Sequence, residues 1–459
     1  MREPRSNRAR RSARQPGPGL RGSHPPRAGP DAPGLGGDRT SLHDPGGDRG
    51  RHPRPSPRVA CRRARAGRGR EARLRIARIL TRLNLGGPAR QCLACDPLLV
   101  EDGHDLRVYC GRPEPGEGDL TDALRERGVD VRRIDGLGRG LSPVGDLGAL
   151  GRLRRELRAF APDVLHTHAS KAGALGRARL ARPPAAALVH TFHGHVLEGY
   201  FSPRVSRWIV AHERRLARRS DRILAVSEAT ARDLLRLGVV EAEGLEVVPP
   251  GIDLQPLLAV DARHGALRRR LRVAPDALLI GVVGRLAAVK RPEWALEAFA
   301  CAARARPELE LVFIGDGAMR AELERRRAAL PPELASRVHL PGAFDAMVEV
   351  LADLDLVLAS SRSEGLPVAL IEAAAAGLAV VACPVGGVGE VVTDGRTGLL
   401  GRTPRELALA LERMAADEAL RAACGRRARA ACGTYSGRAL AERLLAVYRA
   451  VCEQRRCGC

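Results

Sequence analysis

The chain has 459 residues and 44% hydrophobic content, enough for two or three domains with cores of their own. Only 3% of it is aromatic, which leaves few rings to stack nucleic-acid bases and argues against a specific nucleic-acid partner despite a net charge of +23. About +12 of that charge lies in the first 72 residues, and Lys171 and Lys290 are the only lysines, so the basicity is an arginine-rich composition rather than a recognition face.

Residues 1–72 are rich in Arg, Pro and Gly and lack apolar periodicity, a composition expected to be disordered. A basic tethering arm and a translation start placed too far upstream are the two readings of that segment. From residue 74 short apolar runs alternate with amphipathic stretches. Strands are predicted over 74–80, 105–110, 163–167, 187–191 and 222–226, with helices between them, among them 147–160 and 229–237. Pro249-Pro250-Gly251 breaks any element and suits a hinge. The alternation then restarts, with strands over 277–283, 310–314, 337–340, 354–358 and 379–382, and it closes on a helix from Gly437 to Val451 after Thr434-Tyr435-Ser436.

This is the pattern of an α/β chain with two doubly wound Rossmann-like domains facing across a cleft. The expected boundaries are 1–72 for the arm, 73–250 for the first domain, 251–435 for the second, and 436–459 for a C-terminal helix and tail packing back toward the first. In such folds ligands sit at the carboxyl ends of the strands, so the chemistry is sought in the loops that follow them.

Taken in chain order, the first such loop is Asn84-Leu85-Gly86-Gly87, where glycines allow a ligand to approach the backbone closely or simply make a strand-to-helix turn. Five of twelve histidines cluster next: His166, His168, His190, His193 and His195. No carboxylate accompanies them at ligand spacing, so His193 reads as a hydrogen-bonding contact rather than a metal ligand. Lys171, in Ser170-Lys171-Ala172-Gly173, is an acceptor or phosphate contact or a plain surface lysine. Gly284-Arg285 to Lys290 follows a predicted strand, and an arginine fork with a mobile ammonium suits a diphosphate.

Glu364 and Glu372 lie eight positions apart, one in a loop and one on a predicted helix whose first turn begins near Pro367 and offers free N–H groups to an anion. Carboxylates flanking a bound phosphate can accept hydrogen bonds from sugar hydroxyls. Gly386 and Gly387 follow another strand end, Glu390 reads as a cap or a ligand contact, and residues 394–398 read as a turn. The eleven cysteines are odd in number and scattered, which implies buried thiols; Cys92 and Cys95 form the only C-x-x-C pair and lie within a helical pattern.

Together these segments resemble the family 4 glycosyltransferases, retaining enzymes of the GT-B fold. The resemblance runs over most of residues 74–452 and rests on Gly86-Gly87, His166-Thr167-His168 with Ser170-Lys171-Ala172-Gly173, residues 190–195, Val226-Ser227-Glu228, residues 248–253, Gly284-Arg285 with Lys290, Glu364 to Glu372, and Gly386-Gly387 to Gly398. It implies a donor diphosphate on Arg285 and Lys290, ribose hydroxyls on Glu372, and the transferred sugar on Glu364 and near His193. It also implies a Gly86-Gly87 loop that admits nucleotide-sugar and acceptor, with Lys171 and His195 as acceptor-side or secondary contacts.

The family is metal-independent and uses no cofactor beyond the nucleotide-sugar co-substrate, and its front-side reaction calls for no protein nucleophile. Two departures stand out: Pro88-Ala89-Arg90 replaces the acidic or amide residues common after the paired glycines, and Ala318 follows Asp316-Gly317 where Pro is common.

The function expected is transfer of a sugar from a UDP- or GDP-type donor to a hydroxyl of a lipid-linked or polysaccharide acceptor. The alternatives are a nucleotide-sugar epimerase on a GT-B scaffold, and a basic RNA- or membrane-binding protein with a degenerate transferase body. The expected location is the cytoplasm, with peripheral contact at the inner face of the membrane.

Overall fold

Apolar runs that must be covered on both faces pair as parallel strands, and here they do so twice. The computed structural model describes residues 72–114, 117–138, 140, 142–194, 197, 202–260 and 265–458; the arm expected over 1–72 lies, but for its last residue, outside them. The first sheet holds β1 (Arg75–Arg82), β2 (Asp105–Gly111), β3 (Asp130–Arg133), β4 (Val164–His168), β5 (Ala187–Phe192), β6 (Arg222–Ala225) and β7 (Leu245–Val247), in the order β3-β2-β1-β4-β5-β6-β7. The second holds β8 (Leu278–Val283), β9 (Leu309–Ile314), β10 (Val338–Gly342), β11 (Leu356–Ala359), β12 (Ala379–Ala382) and β13 (Gly398–Leu400), in the order β10-β9-β8-β11-β12-β13. Both have the doubly wound topology, with every strand pair parallel.

The strand series read from the sequence lacks β3, β7 and β13, and all three are sheet edges. An edge strand can be short and can carry charge, as β3 does with Asp130, Arg132 and Arg133, so it lacks the apolar run that marks a central strand. The turn expected over 394–398 forms, with Gly395 N–H on the Gly398 carbonyl at 2.8 Å, and leads directly into β13.

Helix starts follow local chemistry. Ser142 caps the helix Pro143–Phe160 by accepting from Gly145 N–H at 3.2 Å, with Pro143 where a missing N–H costs nothing. Ser227 does the same for Glu228–Arg236, accepting from Thr230 N–H at 3.1 Å.

The chain passes between the halves twice, and the two passages are stitched together. Ile252 N–H donates to the Tyr435 carbonyl and Gly437 N–H to the Ile252 carbonyl, each at 2.9 Å. Beyond this bridge the helix Gly437–Arg456, five residues longer than its apolar pattern suggested, buries Leu440, Leu444, Tyr448 and Val451 in the core of the first half. It packs along the helix Gly87–Glu101, where Cys92 and Cys95 are buried free thiols whose pKa burial pushes up, that of Cys95 to about 12. Beneath them Arg78 and Asp96 form a fully buried ion pair, and burial raises the Asp96 carboxyl to about 6 against the pull of Arg78. Among the described residues no helix is long and apolar enough to cross a membrane.

Candidate active site

The loops after β8 and β11 border a cavity open to solvent and lined by Gly284, Arg285, Lys290, Ser361, Glu364 and Pro367 among others. Lys290 ends a short 3-10 turn, Ala288–Lys290, and its Nζ lies 2.6 Å from Glu364 Oε1. Ser361 Oγ donates to the same carboxylate oxygen at 2.5 Å, and Ser360 Oγ donates to the carbonyls of Lys290 and Arg291 at 3.1 and 2.7 Å. The two serines thus hold the basic turn against the acidic loop. Arg285 is exposed at the mouth and has no ion-pair partner among the described residues. A cation and an anion expected to serve different parts of one ligand therefore pair with each other here.

Pro367 occupies the cap position of the helix Val368–Ala375 rather than its first turn, and its carbonyl accepts from Leu370 N–H at 3.0 Å. The N–H groups of Val368 and Ala369 come before this first helical hydrogen bond, and Ala369 lines the cavity, the geometry that favours an anion. One turn on, Glu372 is buried and ion-paired with Arg90 from the first half. Burial raises the Glu372 carboxyl above its ordinary range, and Arg90 opposes that rise.

Glycines close the junction between the halves. Gly387 N–H donates to the Gly365 carbonyl at 3.1 Å. Gly386 has φ +52°, and a Cβ there would stand 1.8 Å from the Glu364 carbonyl oxygen. A Cβ on Gly365 would in turn stand 2.5 Å from the His193 carbonyl oxygen. Gly86 and Gly87 open the helix Gly87–Glu101, and a Cβ on Gly87 would stand 3.2 Å from Val368 Cγ2. Glu390 caps across the junction: its carboxylate accepts from Glu228 and Ala229 N–H of the first half at 3.0 and 3.1 Å.

His193 sits just past β5 with its ring turned into the first half. Its Nε2 shares a hydrogen bond of 2.9 Å with His168 Nδ1, and its Nδ1 lies 3.5 Å from Gln91 Nε2. The chain of rings continues through His168, whose ring is tilted 36° from that of His166 with centroids 4.1 Å apart, to the Tyr448 hydroxyl 2.6 Å from His166 Nδ1. Burial pushes all four described cluster histidines below the ordinary range, His193 to about 3 with Arg78 as the second cause, so they are neutral at pH 7.

One expected contact is not part of this assembly. Lys171 is held by Asp146 Oδ1 at 2.6 Å and by the Gly140 carbonyl, and His195 lies outside the described residues. Among the described residues no three His, Cys, Asp or Glu side chains are grouped to hold a metal ion.

The site therefore brings together Arg285, Lys290 and Glu364 around one cavity, Glu372 behind it, and Gly86, Gly87, Gly386, Gly387 and His193 along the seam. Arg90, Ser360 and Ser361 were missed from the sequence. A Ser-Ser pair at the end of a buried strand was the available signal for the serines; Arg90 stood out only as a departure after the paired glycines, and its partner is 282 positions away.

Residues 85–256 match the family model Glycosyltransferase Family 4, and residues 277–417 match Glycosyl transferases group 1. The chain is similar to the D-inositol 3-phosphate glycosyltransferase of Xylanimonas cellulosilytica, 31% identical over 388 residues that cover 79% of this chain and 91% of that protein. It is also similar to the UDP-Gal:alpha-D-GlcNAc-diphosphoundecaprenol alpha-1,3-galactosyltransferase of Escherichia coli, 26% identical over 72% of this chain and 84% of that one. Among solved structures, Anabaena HepE in complex with UDP shares the fold with a TM-score of 0.68 at 20% identity, over 82% of this chain and all of that one.

Proposed function

The chain belongs to the family 4 glycosyltransferases, enzymes with a GT-B fold that use nucleotide sugars, and from that premise we propose that it transfers a sugar, with retention, from a UDP- or GDP-type donor to a hydroxyl of a lipid-linked or polysaccharide acceptor. The observation that carries the donor reading is the Lys290 to Glu364 contact of 2.6 Å at the cavity mouth beside exposed Arg285. In this reading the second half, 251–435, is the donor side and the first, 73–250, the acceptor side.

Arg285, Lys290 and the start of Val368–Ala375 take the diphosphate, and Glu372 accepts from the ribose hydroxyls. Lys290 turning to phosphate frees Glu364 for the sugar. Gly386 and Gly387 keep that loop in place, Gly86 and Gly87 admit the nucleotide-sugar and the acceptor, and neutral His193 borders the sugar. As the bond from the anomeric carbon to the diphosphate breaks, the acceptor oxygen bonds to that carbon on the same face, and its proton passes to the departing phosphate oxygen. The cations stabilise the charge that develops there, so no protein nucleophile and no metal is required.

The E. coli relative, named for a diphosphoundecaprenol-linked substrate, supports the lipid-linked class of acceptor. Family membership favours transfer over the epimerase reading.

The test is nucleotide release from a panel of UDP- and GDP-sugars with lipid-linked and polysaccharide acceptors, run with and without EDTA. Turnover of one donor only in the presence of acceptor, with an unchanged rate in EDTA and an anomer of retained configuration, is expected. Binding of no donor at all would sink the reading.

A further inference from the structure

The helix Pro203–Ala217 presents a face that sugar transfer does not use. Its inner side packs Ile209, Val210 and Ala217 on the core beneath β5 and β6, and its one carboxylate, Glu213, is buried and paired with Arg177 at 2.7 Å. Every charge left on the outer side is positive: Arg204, Arg207, Arg214 and Arg215, with Arg218 at the C-cap, are exposed. Among them Trp208 is 68% and Val205 43% exposed. At about 100° of turn per residue, Arg204, Val205, Trp208, His212 and Arg215 fall on one stripe. The indole stacks on His212, ring centroids 5.6 Å apart and 8° from parallel, and stays out of the core.

A second apolar pair stands at the same edge. The connections β3 to β4, β4 to β5 and β5 to β6 all step in one direction along the sheet, so their right-handed crossovers put Pro143–Phe160 and Pro203–Ala217 on the same face, both starting at the carboxyl ends of the strands. The first turns of Pro143–Phe160 expose Val144 (86%) and Leu147 (68%), and exposed Arg154, Arg155 and Arg158 follow on that helix.

We propose that this face docks the enzyme on an anionic lipid surface, with Pro203–Ala217 lying along the headgroups and Trp208 in the interfacial zone. An arginine-lined helix free of exposed acid complements the charge of such a surface, and an indole has one apolar body and one wet edge to match the interface. Val144, Leu147 and Val205 have no counterpart in a phosphate backbone, and a single ring gives little to stack bases on, which favours lipid over nucleic acid. Both helices begin at the carboxyl edge of the first sheet, the edge from which Gly86, Gly87 and His193 also project. This inference rests on the helix alone and stands whether or not the donor reading does.

Trp208 and Trp294 are the only tryptophans, which gives a direct probe in the full-length chain. In Trp294→Phe, vesicles of phosphatidylcholine with phosphatidylglycerol should shift Trp208 fluorescence to the blue, and brominated acyl chains should quench it. Pure phosphatidylcholine or high salt should abolish both effects. Arg204→Gln and Arg207→Gln should each weaken partitioning about fivefold.

The unsubstituted chain compared with Trp208→Ala gives the same reading without the change at Trp294: the vesicle-induced shift is present in the first and missing in the second. The proposal is overturned if the protein binds vesicles while Trp208 stays unshifted and unquenched, which would assign binding to another part of the chain. It is equally overturned if an RNA homopolymer shifts Trp208 and vesicles do not.

Discussion

Arg90 and Glu372 join the two halves, a guanidinium from the helix Gly87–Glu101 on a buried carboxylate from the helix Val368–Ala375. The carboxylate proposed to take the ribose hydroxyls thus already carries a partner from the opposite side of the cleft, and the donor must share it or displace it. Hydrogen bonds to a charged group contribute about 1.5–3 kcal/mol, so Glu372→Gln is expected to weaken UDP or GDP binding by roughly 10- to 100-fold in calorimetric titration. Arg90→Ala separates the two roles of the pair. It leaves a buried carboxylate unpartnered, so the urea midpoint should fall, while nucleotide affinity should hold or rise. A loss of nucleotide affinity in Arg90→Ala as large as in Glu372→Gln would show that Arg90 itself holds the donor.

Lys290 and Arg285 test the charge on the leaving group. Removing one preorganised donor aimed at developing charge costs about 10²–10³ in kcat. Lys290→Ala should fall in that range and should also free Glu364 and Ser361. Arg285→Lys keeps the charge and loses the fork, so a smaller loss is expected, visible mainly in KM for the nucleotide-sugar. Equal and negligible effects on both parameters would remove these residues from the donor site.

The sheets were legible because their central strands are built on apolar runs, as in Ala379–Ala382, which the sequence pattern bounds to the residue. Three of the four edge strands were not, since a stretch such as Asp130–Arg133 reads as polar loop until a neighbour is placed beside it. The same split runs through the site. Gly86, Gly87, Lys290, Glu364 and Glu372 announce themselves by standing after strands, whereas Arg90 acquires its meaning only when the halves face each other. The orientation of His193 was hidden for a like reason. Its ring follows His168 on the neighbouring strand, a contact set by the β4 to β5 register that pairs His168 with Thr191.

The histidine cluster sets a pH dependence of stability. His166, His168, His190 and His193 are held below the ordinary pKa of about 6.5 by burial, so the unfolded chain takes up protons there that the folded protein does not. Their contribution is complete above about pH 6.5 and is lost as pH falls, at up to about 1.4 kcal/mol per pH unit for each histidine. Asp96, raised to about 6, works in the opposite sense below about pH 6 and there offsets one of the four, and Glu372, also raised by burial, acts in the same sense as Asp96. Urea unfolding should therefore show stability dropping steeply from pH 6.5 to 5, and His168→Gln should make the slope shallower by one proton. A flat profile would mean that the cluster titrates in the folded protein.

Gly365 tests whether the seam itself matters for turnover. Its α-carbon lies where the loop bearing Glu364 meets the loop bearing His193, and a methyl group there would face the His193 carbonyl oxygen at 2.5 Å and the Gly194 amide nitrogen at 2.8 Å. Both are backbone atoms, so no side chain can swing aside, and the halves must separate by some tenths of an ångström or the loop must shift. Inserting one methyl group into a packed site costs about 1–3 kcal/mol when the surroundings cannot relax. A seam between two halves can relax by opening, so Gly365→Ala should lose less stability than that range and more activity. Because a misplacement of about 1 Å costs on the order of 10²-fold in rate, kcat should fall by one to two orders of magnitude with nucleotide affinity largely kept. Parallel measurement of the urea midpoint, nucleotide affinity and kcat separates the outcomes: a fall in kcat alone assigns the junction to positioning, whereas parallel falls in all three assign it to folding.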